Sequence, residues 1–251
     1  MQFKRAILRE VPDTYKSCIS SHPNYKDLDI QKAREQHFNY RKLLEELGIE
    51  TILLHKDNNY PDSCFIEDTA VIHKDKAVIT RLAKETRQGE ENAVENVLKD
   101  YKSVKRVITP GTIEGGDVIH LNDRLISGVT SRTNMEGIRQ TEEWLGVKID
   151  TIEDKSIVHL KSYVTYLGEG IFVSTKKYAS HPLLRDFEVI VVPDGEEYGA
   201  NTLAMNDIII MSEGHDKLIK MINEHGFDVF TLKMTEFEKC EGALTCLSLR
   251  F

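Results

Sequence analysis

Cysteine is scarce in this 251-residue sequence. The four residues, Cys18, Cys64, Cys240 and Cys246, include no pair with the Cys-x-x-Cys spacing of a thiolate metal site. Such sparse thiols argue against a disulfide scaffold and favour a reducing cytoplasm as the location. Long apolar runs are lacking too. Because no stretch of about 18 consecutive apolar residues occurs and the first residues lack an apolar core, we expect neither a membrane span nor a signal peptide.

Basic clusters are also absent. The 33 Lys and Arg residues are dispersed among 41 Asp and Glu residues, and the formal net charge is −8. We therefore expect no nucleic acid and no membrane as a partner, whereas an acidic balance suits a small cationic ligand. The sequence contains no Walker A loop, Gly-x-Gly-x-x-Gly, Gly-x-Ser-x-Gly or His-Glu-x-x-His motif. We predict neither a metal nor an organic cofactor.

A unit of hairpin, helix and short strand recurs along the chain. Each hairpin consists of two β-rich runs around a polar turn, and the four complete ones cover residues 65–80, 114–128, 159–174 and 199–212. The clearest helical pattern covers 30–47, with Asp29 as the N-cap and Gly48 just past the end. Further helices are predicted near 90–101, 134–145 and 215–225.

The two ends of the chain complete this pattern. The C-terminal "GALTCLSLRF" indicates half a hairpin, with Cys246 in a strand, and the N-terminal "QFKRAILREV" indicates a strand without its partner. We predict an α/β fold in which one domain, residues 1–251, forms a propeller-like ring of five modules closed by the terminal strands. The alternative, a doubly wound parallel sheet, is disfavoured because its strands would alternate singly with helices.

A ring would bring together residues that are distant in sequence. Asp68, Glu114, His159, Asn201 and Cys246 lie near the start of each hairpin, at steps of 46, 45, 42 and 45 residues. Equivalent positions of a closed ring converge on its axis, which predicts a Cys–His–carboxylate site for nucleophilic catalysis. Each residue also has an ordinary interpretation: a buried cysteine, a core histidine, solvated carboxylates, or a plain turn at "EGGD".

Two carboxylates facing a thiol suit a planar cation better than an acyl group. A guanidinium group presents its N–H donors in a fixed fork that carboxylates bind in pairs. Such binding would align the central carbon with Cys246, and the positive charge would help to ionise the thiol. His159 would protonate the leaving amine and then deprotonate the hydrolytic water.

Several stretches resemble the dimethylarginine dimethylaminohydrolases, a family of the guanidino-modifying (pentein) superfamily. They follow one another along nearly the whole chain: "ILREVP", "PDSCFIED", "IEGGDV", "SRTN", "HLKSY" and "GALTCLSLRF". The resemblance implies a five-module ββαβ propeller. It also implies hydrolysis of Nω-methylated L-arginines to L-citrulline and dimethylamine or methylamine through a covalent thiouronium intermediate.

The resemblance also implies roles for individual residues. Cys246 would be the nucleophile, His159 the acid and base, and Glu114 the carboxylate that orients His159. The substrate-binding residues would be Asp62, Glu67 and Asp68 for the guanidino nitrogens, Arg87 and Arg132 for the α-carboxylate, the main chain of Cys240 and Glu241 for the α-amino group, and Phe65 as a wall. The segment from Cys18 to Lys26 would correspond to a lid.

Lys161 distinguishes this sequence from related deiminases. Those enzymes usually carry His-x-Asp, whereas the residue two after His159 is Lys161 here. Loss of that acceptor favours a guanidino group with fewer N–H donors, and therefore a methylated substrate. The alternatives are a deiminase acting on L-arginine or another guanidino or amidino compound, and a non-catalytic pentein that only binds. We expect a cytoplasmic monomer or homodimer.

Overall fold

The structure, a computed structural model, describes residues 3–251. Within this range the strands are β1 (Arg5–Arg9), β2 (Glu50–Leu54), β3 (Ala70–His73), β4 (Lys76–Ile79), β5 (Ser103–Arg106), β6 (Val118–His120), β7 (Leu125–Val129), β8 (Ile149–Glu153), β9 (Val164–Gly168), β10 (Ile171–Ser174), β11 (Glu188–Val191), β12 (Leu203–Met205), β13 (Ile208–Ser212), β14 (Asp228–Leu232) and β15 (Leu249–Arg250). The α-helices are α1 (Ile30–Glu46), α2 (Glu91–Leu98), α3 (Met135–Leu145), α4 (Asp216–Glu224) and α5 (Thr235–Glu238).

The strands form five three-stranded sheets, which makes the fold mixed α/β. In each sheet an antiparallel pair is followed by a parallel neighbour, as in β3–β4–β5. In the fifth sheet, β15 pairs antiparallel with β1, with Arg250 opposite Ala6, and β1 pairs parallel with β2. The predicted pairing of the terminal strands is confirmed. A single doubly wound sheet is excluded, because among residues 3–251 no strand joins one sheet to the next.

Helix α1 shows why the sequence forms these elements. Ala33, Tyr40 and Leu44 lie on one face of the helix and are fully buried. The Asp29 carboxylate accepts hydrogen bonds from two main-chain N–H groups of the first turn, at 2.9 and 3.2 Å. Gly48 follows the helix with φ of 82°, a conformation that costs glycine little. The predicted caps and the predicted range agree with the structure to within one residue.

A short 3-10 turn precedes the first strand of each hairpin, and the sequence analysis did not predict it. We call these the inner turns: Ile66–Thr69, Gly115–Asp117, Leu160–Ser162, Glu197–Ala200 and Thr245–Leu247. The strand predicted around Cys246 is therefore wrong, because this residue lies in the last inner turn and only Leu249–Arg250 is a strand. The error has a physical reason: a single 3-10 turn is too short to leave a periodic pattern.

The first four inner turns contact one another in chain order, and the fifth contacts the first. Asn201 joins the fourth turn to the third and the fifth. Its amide donates to the main-chain oxygen of Lys161 at 3.1 Å and to Thr245 Oγ1 at 3.0 Å, and its oxygen accepts from Thr245 N at 3.1 Å. The hydrogen bonds of Asn201 thus hold neighbouring inner turns together.

The cysteines differ from expectation. Cys18 and Cys240 form a disulfide across 222 residues of sequence, with their Cα atoms 6.0 Å apart, whereas Cys64 and Cys246 are free. The prediction against disulfides was based on sequence spacing, and it failed because this pair meets only in the folded chain. Among residues 3–251, no helix has both the length and the hydropathy needed to cross a bilayer.

Asn201→Ala should lower the free energy of unfolding by about 1–3 kcal/mol, because the variant leaves Lys161 O and Thr245 N buried without a partner. Denaturant-induced unfolding measures this loss. Asn122→Ala, at an exposed position, is the control and should change the same quantity by less than about 0.5 kcal/mol. Equal values for the two variants would contradict the assigned role of Asn201.

Candidate active site

Asp68 of the first inner turn, Cys246 of the last, and His159, which directly precedes the third, line one small cavity of about 40 Å³. Its lining consists of Ile19, Asp62, Phe65, Asp68, Arg87, Arg132, Val158, His159, Cys240, Glu241, Gly242 and Cys246. The structure thus brings together all the predicted site residues except Glu67 and Glu114. Glu114 is fully buried behind His159 and contacts it directly.

His159 lies between two carboxylates. Its Nε2 atom is 2.7 Å from Glu114 Oε2 and 3.5 Å from Asp68 Oδ1. Burial alone would lower the pKa of His159, but Asp68 and the hydrogen bond with Glu114 outweigh it and raise this pKa to about 9. The side chain is therefore an imidazolium at neutral pH. It can donate a proton to a leaving group.

Cys246 is a free, half-buried thiol in the last inner turn. Burial raises the pKa of Cys246 to about 12, and the carboxylates of Glu67 and Asp68 add to the effect. The resting thiol is therefore protonated at neutral pH. A cation bound beside it would lower its pKa by offsetting the two carboxylates.

Asp68 is buried but ionised. Arg87 donates to its Oδ2 at 2.9 Å and the main chain of Gly116 donates to its Oδ1 at 3.0 Å. Burial raises the pKa of Asp68, but His159 and Arg87 reverse the shift and lower it to about 2. Gly116 has to be glycine because a Cβ atom there would lie 2.9 Å from Asp68 Oδ1 and 2.8 Å from the ring of His159. The "EGGD" motif thus permits close approach at the site.

Glu67, the neighbour of Asp68 in the first inner turn, has a different environment. Its Oε1 atom accepts from Lys161 Nζ at 2.6 Å and from Arg250 NH2 at 2.8 Å. Burial opposes ionisation, but these two cations keep the pKa of Glu67 below its usual value. The carboxylate does not line the cavity. Its negative charge is already paired within the protein.

The two predicted carboxylate-binding arginines differ in what they have left to donate. Arg87 forms a bidentate pair with Glu90, at 3.0 and 2.8 Å, in addition to its bond with Asp68. Arg132 has a buried NH1 atom without a hydrogen-bond partner, 3.8 Å from Glu114. Arg132 is thus the arginine with an unused donor, and Arg87 mainly holds Asp68 in place.

Sequence reasoning missed Asp117, the last residue of "EGGD". Its carboxylate accepts from Thr130 Oγ1 at 2.8 Å, Thr133 Oγ1 at 2.6 Å and the main chain of Leu160 at 2.9 Å. Burial raises the pKa of Asp117 to about 6. By binding Leu160 N, it fixes the turn that carries His159. The motif was a signal for this role, because a buried carboxylate in a turn has to bind nearby donors.

Residues 18–21, which we call the cover segment, close the cavity on one side. Ile19 lines the cavity and its main-chain N–H donates to Asp62 Oδ1 at 3.1 Å. Ser21 Oγ donates to Glu241 Oε1 at 2.5 Å. The Asp62 carboxylate is therefore engaged by the cover segment, and burial raises the pKa of Asp62.

One group of side chains has ligand atoms close enough for a metal ion. Atoms of Asp68, Glu114 and His159 lie within 4.8 Å of one another. A metal would have to displace the proton of His159, whose pKa of about 9 favours the protonated ring. The arrangement therefore suits a protonated His159 better than a bound metal ion. The absence of a metal stays a prediction.

A half-buried cysteine, an imidazolium and an ionised carboxylate share one cavity, and such a site suits an amidine hydrolase, which acts on guanidino carbon. The comparisons with known proteins agree with this class of enzyme. A family model described as "N,N dimethylarginine dimethylhydrolase, eukaryotic" matches residues 13–247. The N(G),N(G)-dimethylarginine dimethylaminohydrolase of Pseudomonas aeruginosa is 33% identical over 89% of this chain and 90% of its own. The chain belongs to the dimethylarginine dimethylaminohydrolase family of the pentein superfamily.

Solved structures agree with this assignment. The Pseudomonas aeruginosa enzyme, as a Cys→Ser mutant complexed with citrulline, superposes with a TM-score of 0.97 at 31% identity over the whole of both chains. The Streptomyces coelicolor enzyme is 31% identical over 100% of this chain and 98% of its own. The N-terminal domain of the arginine dihydrolase ArgZ, at 22% identity and a TM-score of 0.89, shares the fold.

Glu114→Gln should move the pKa of His159 from about 9 towards its ordinary value of about 6.5. In the wild type, the stability gained from protonated His159 is complete below about pH 6.5 and is lost as pH rises through 9. In Glu114→Gln, the stability gained from protonated His159 should be lost at a lower pH than in the wild type. Histidine NMR titration measures the pKa, with Glu35→Gln as an exposed control. An unchanged His159 pKa in Glu114→Gln would refute the pairing.

Proposed function

We propose that this protein is a cofactor-free cysteine hydrolase of Nω-methylated L-arginines. It converts dimethyl- and monomethyl-L-arginine to L-citrulline and dimethylamine or methylamine, in a single propeller domain spanning residues 1–251. The observation that carries the proposal is one cavity that holds Cys246, His159 and the ionised Asp68. The cytoplasmic location and the state as monomer or homodimer remain predictions.

The reaction begins when the cationic guanidino group of the substrate binds. Asp68 binds the guanidino nitrogens and places the central carbon near Cys246, whose thiol pKa falls in the presence of the new positive charge. The S–C bond forms and the bond from carbon to the methylated nitrogen breaks. Cys246 loses its proton to solvent when the cation binds. His159 donates its own proton to the departing amine and is left neutral, so that it can act as the base in the next step.

The second half of the reaction uses the same groups. His159 deprotonates a water molecule that attacks the thiouronium carbon, and the C–S bond breaks to release L-citrulline and the Cys246 thiol. Glu114 keeps the ring of His159 in one orientation through its 2.7 Å hydrogen bond. A fixed acid and base of this kind contributes about 10²–10⁴-fold to a rate.

Other residues near the site would bind the amino-acid end of the substrate. Arg132 has the unused NH1 donor for the α-carboxylate, and Arg87 lies beside it as a second positive charge. The main chain of Cys240 and Glu241 would bind the α-amino group. Phe65 forms the apolar wall, and it packs so closely on Gly242 that a Cβ atom there would lie 2.1 Å from the ring.

Lys161 supports the preference for a methylated guanidino group. Because it binds Glu67 at 2.6 Å, the first inner turn offers the substrate only the carboxylate of Asp68. A dimethylated nitrogen has no N–H to satisfy a further acceptor, and an unpaired buried acceptor would cost about 1–3 kcal/mol. L-Arginine is the second candidate, because a bifunctional arginine dihydrolase of Nostoc is 25% identical over 87% of this chain.

Purified protein should release citrulline together with dimethylamine or methylamine from the methylated arginines. Cys246→Ala should abolish this release, by about 10³-fold or more, because it removes the nucleophile. Cys64→Ala, which removes a thiol outside the cavity, should retain it. Ammonia release from L-arginine alone would keep the mechanism and overturn the proposed substrate. No product from any of the three substrates would count against the enzyme itself.

Lys161→Met should shift the substrate preference from dimethyl-L-arginine towards L-arginine. With one of its two cations removed, Glu67 becomes a stronger acceptor near the thiol, which favours a substrate with more N–H donors. The ratio of kcat/KM for L-arginine to that for dimethyl-L-arginine should rise by about 10-fold. Lys155→Met, at an exposed position, is the control. A ratio that changes equally in both variants would exclude Lys161 as a determinant of specificity.

A further inference from the structure

The disulfide joins the cover segment to the rim of the candidate active site. Cys18 begins this segment, next to Ile19 of the cavity lining, and Cys240 itself lines the cavity. The surrounding chain has little structure of its own, with only the 3-10 turns Tyr15–Ser17 and Tyr25–Asp27 before α1. The bond therefore ties a weakly structured segment to a part of the site.

With the cover segment in place, the cavity is too small for the proposed substrate. Its volume of about 40 Å³ leaves room for about three water molecules, and an arginine-sized molecule is far larger. Ile19 occupies one side of the cavity, and its main-chain N–H is bound to Asp62, another lining residue. Substrate entry therefore requires part of the lining to move away, and the cover segment contributes Ile19 to that lining.

The cover segment has hydrogen-bonded attachments in addition to the disulfide. Ile19 N binds Asp62, Ser20 Oγ binds the main-chain oxygen of Lys239, and Ser21 binds Glu241. Hydrogen bonds of this kind contribute little net free energy compared with a covalent bond, and they can open thermally. The disulfide cannot, and it keeps the two Cα atoms within about 7 Å of each other. It is thus the attachment that decides whether the segment can open.

We propose that the Cys18–Cys240 bond is a thiol–disulfide exchange site that gates the active site, closed when oxidised and opened by a dithiol reductant. One thiolate of the dithiol attacks a sulfur of the bond and forms a mixed disulfide, and its second thiol then displaces that sulfur. Cys18 and Cys240 end as thiols, and the dithiol, oxidised by two electrons, ends as a cyclic disulfide and supplies both protons. The inference rests on the proposed function only for the size of the substrate.

The other two cysteines have different environments. Cys64 is fully buried, and burial raises its pKa well above the usual value, so it is a poor partner for exchange. Cys246 is the free thiol at the cavity and serves as a reporter, because a reagent can reach it only past the cover segment. Cys18 and Cys240 thus form the gate, and the accessibility of Cys246 reports whether the gate is open.

The test measures alkylation of Cys246 by an arginine-sized amidine electrophile, followed by mass spectrometry of the Cys246 peptide. Protein oxidised with glutathione disulfide is compared with protein reduced by dithiothreitol and desalted without air. The reduced form should be labelled about 10-fold faster or more, in proportion to its open fraction. Thiol counting should give two free thiols before reduction and four after it.

Cys18→Ser should be labelled fast under both conditions, because the variant has no bond to break. Cys64→Ala should respond to reduction as the wild type does. Equal rates for the oxidised and reduced wild type, slower labelling after reduction, or four free thiols in the oxidised sample would each overturn the gate. Labelling needs no turnover, so a redox-dependent rate in a protein that leaves methylated arginines intact would support the gate while refuting the proposed substrate.

Discussion

The ionised carboxylate of Asp68 is the charge on which the rest of the site depends. It is 2% exposed, so it can remain ionised only because Arg87, Gly116 N and His159 surround it. Arg87 is in turn held by the bidentate pair with Glu90. The same carboxylate helps to keep His159 protonated. A buried negative charge thus specifies both the proton donor and the binding site for a cation.

The same buried carboxylates also help to keep the thiol of Cys246 protonated. Burial, together with the carboxylates of Glu67 and Asp68, raises the pKa of Cys246 to about 12, so the thiol is protonated at neutral pH before a cation binds. In the proposed mechanism, a bound guanidinium group offsets the carboxylate charges and activates the thiol only when a reaction can follow. A neutral molecule of similar shape would bind without activating Cys246. Selectivity for cationic substrates therefore follows from electrostatics as well as from shape.

Features that leave a local pattern or a regular repeat in the sequence could be predicted, whereas a contact that depends on the path of an irregular segment could not. Helix α1 matches its predicted range to within one residue, because its caps and its buried positions mark it. The regular spacing of Asp68, His159 and Cys246 correctly indicated that they converge. The pairing of Cys18 with Cys240 left no sequence signal, because it depends on how the segment before α1 folds back over the site.

Arg250 links closure of the fifth sheet to the chemistry of the site. It lies in β15, opposite Ala6 of β1, and its side chain binds Glu67 at 2.8 Å. Glu67 precedes Asp68 in the first inner turn, so the terminal strand also fixes the turn that presents the key carboxylate. Without Arg250, Glu67 would have Lys161 as its remaining cation and would add negative charge near Cys246. Pairing of the chain ends and charge balance at the thiol are therefore established together when the protein folds.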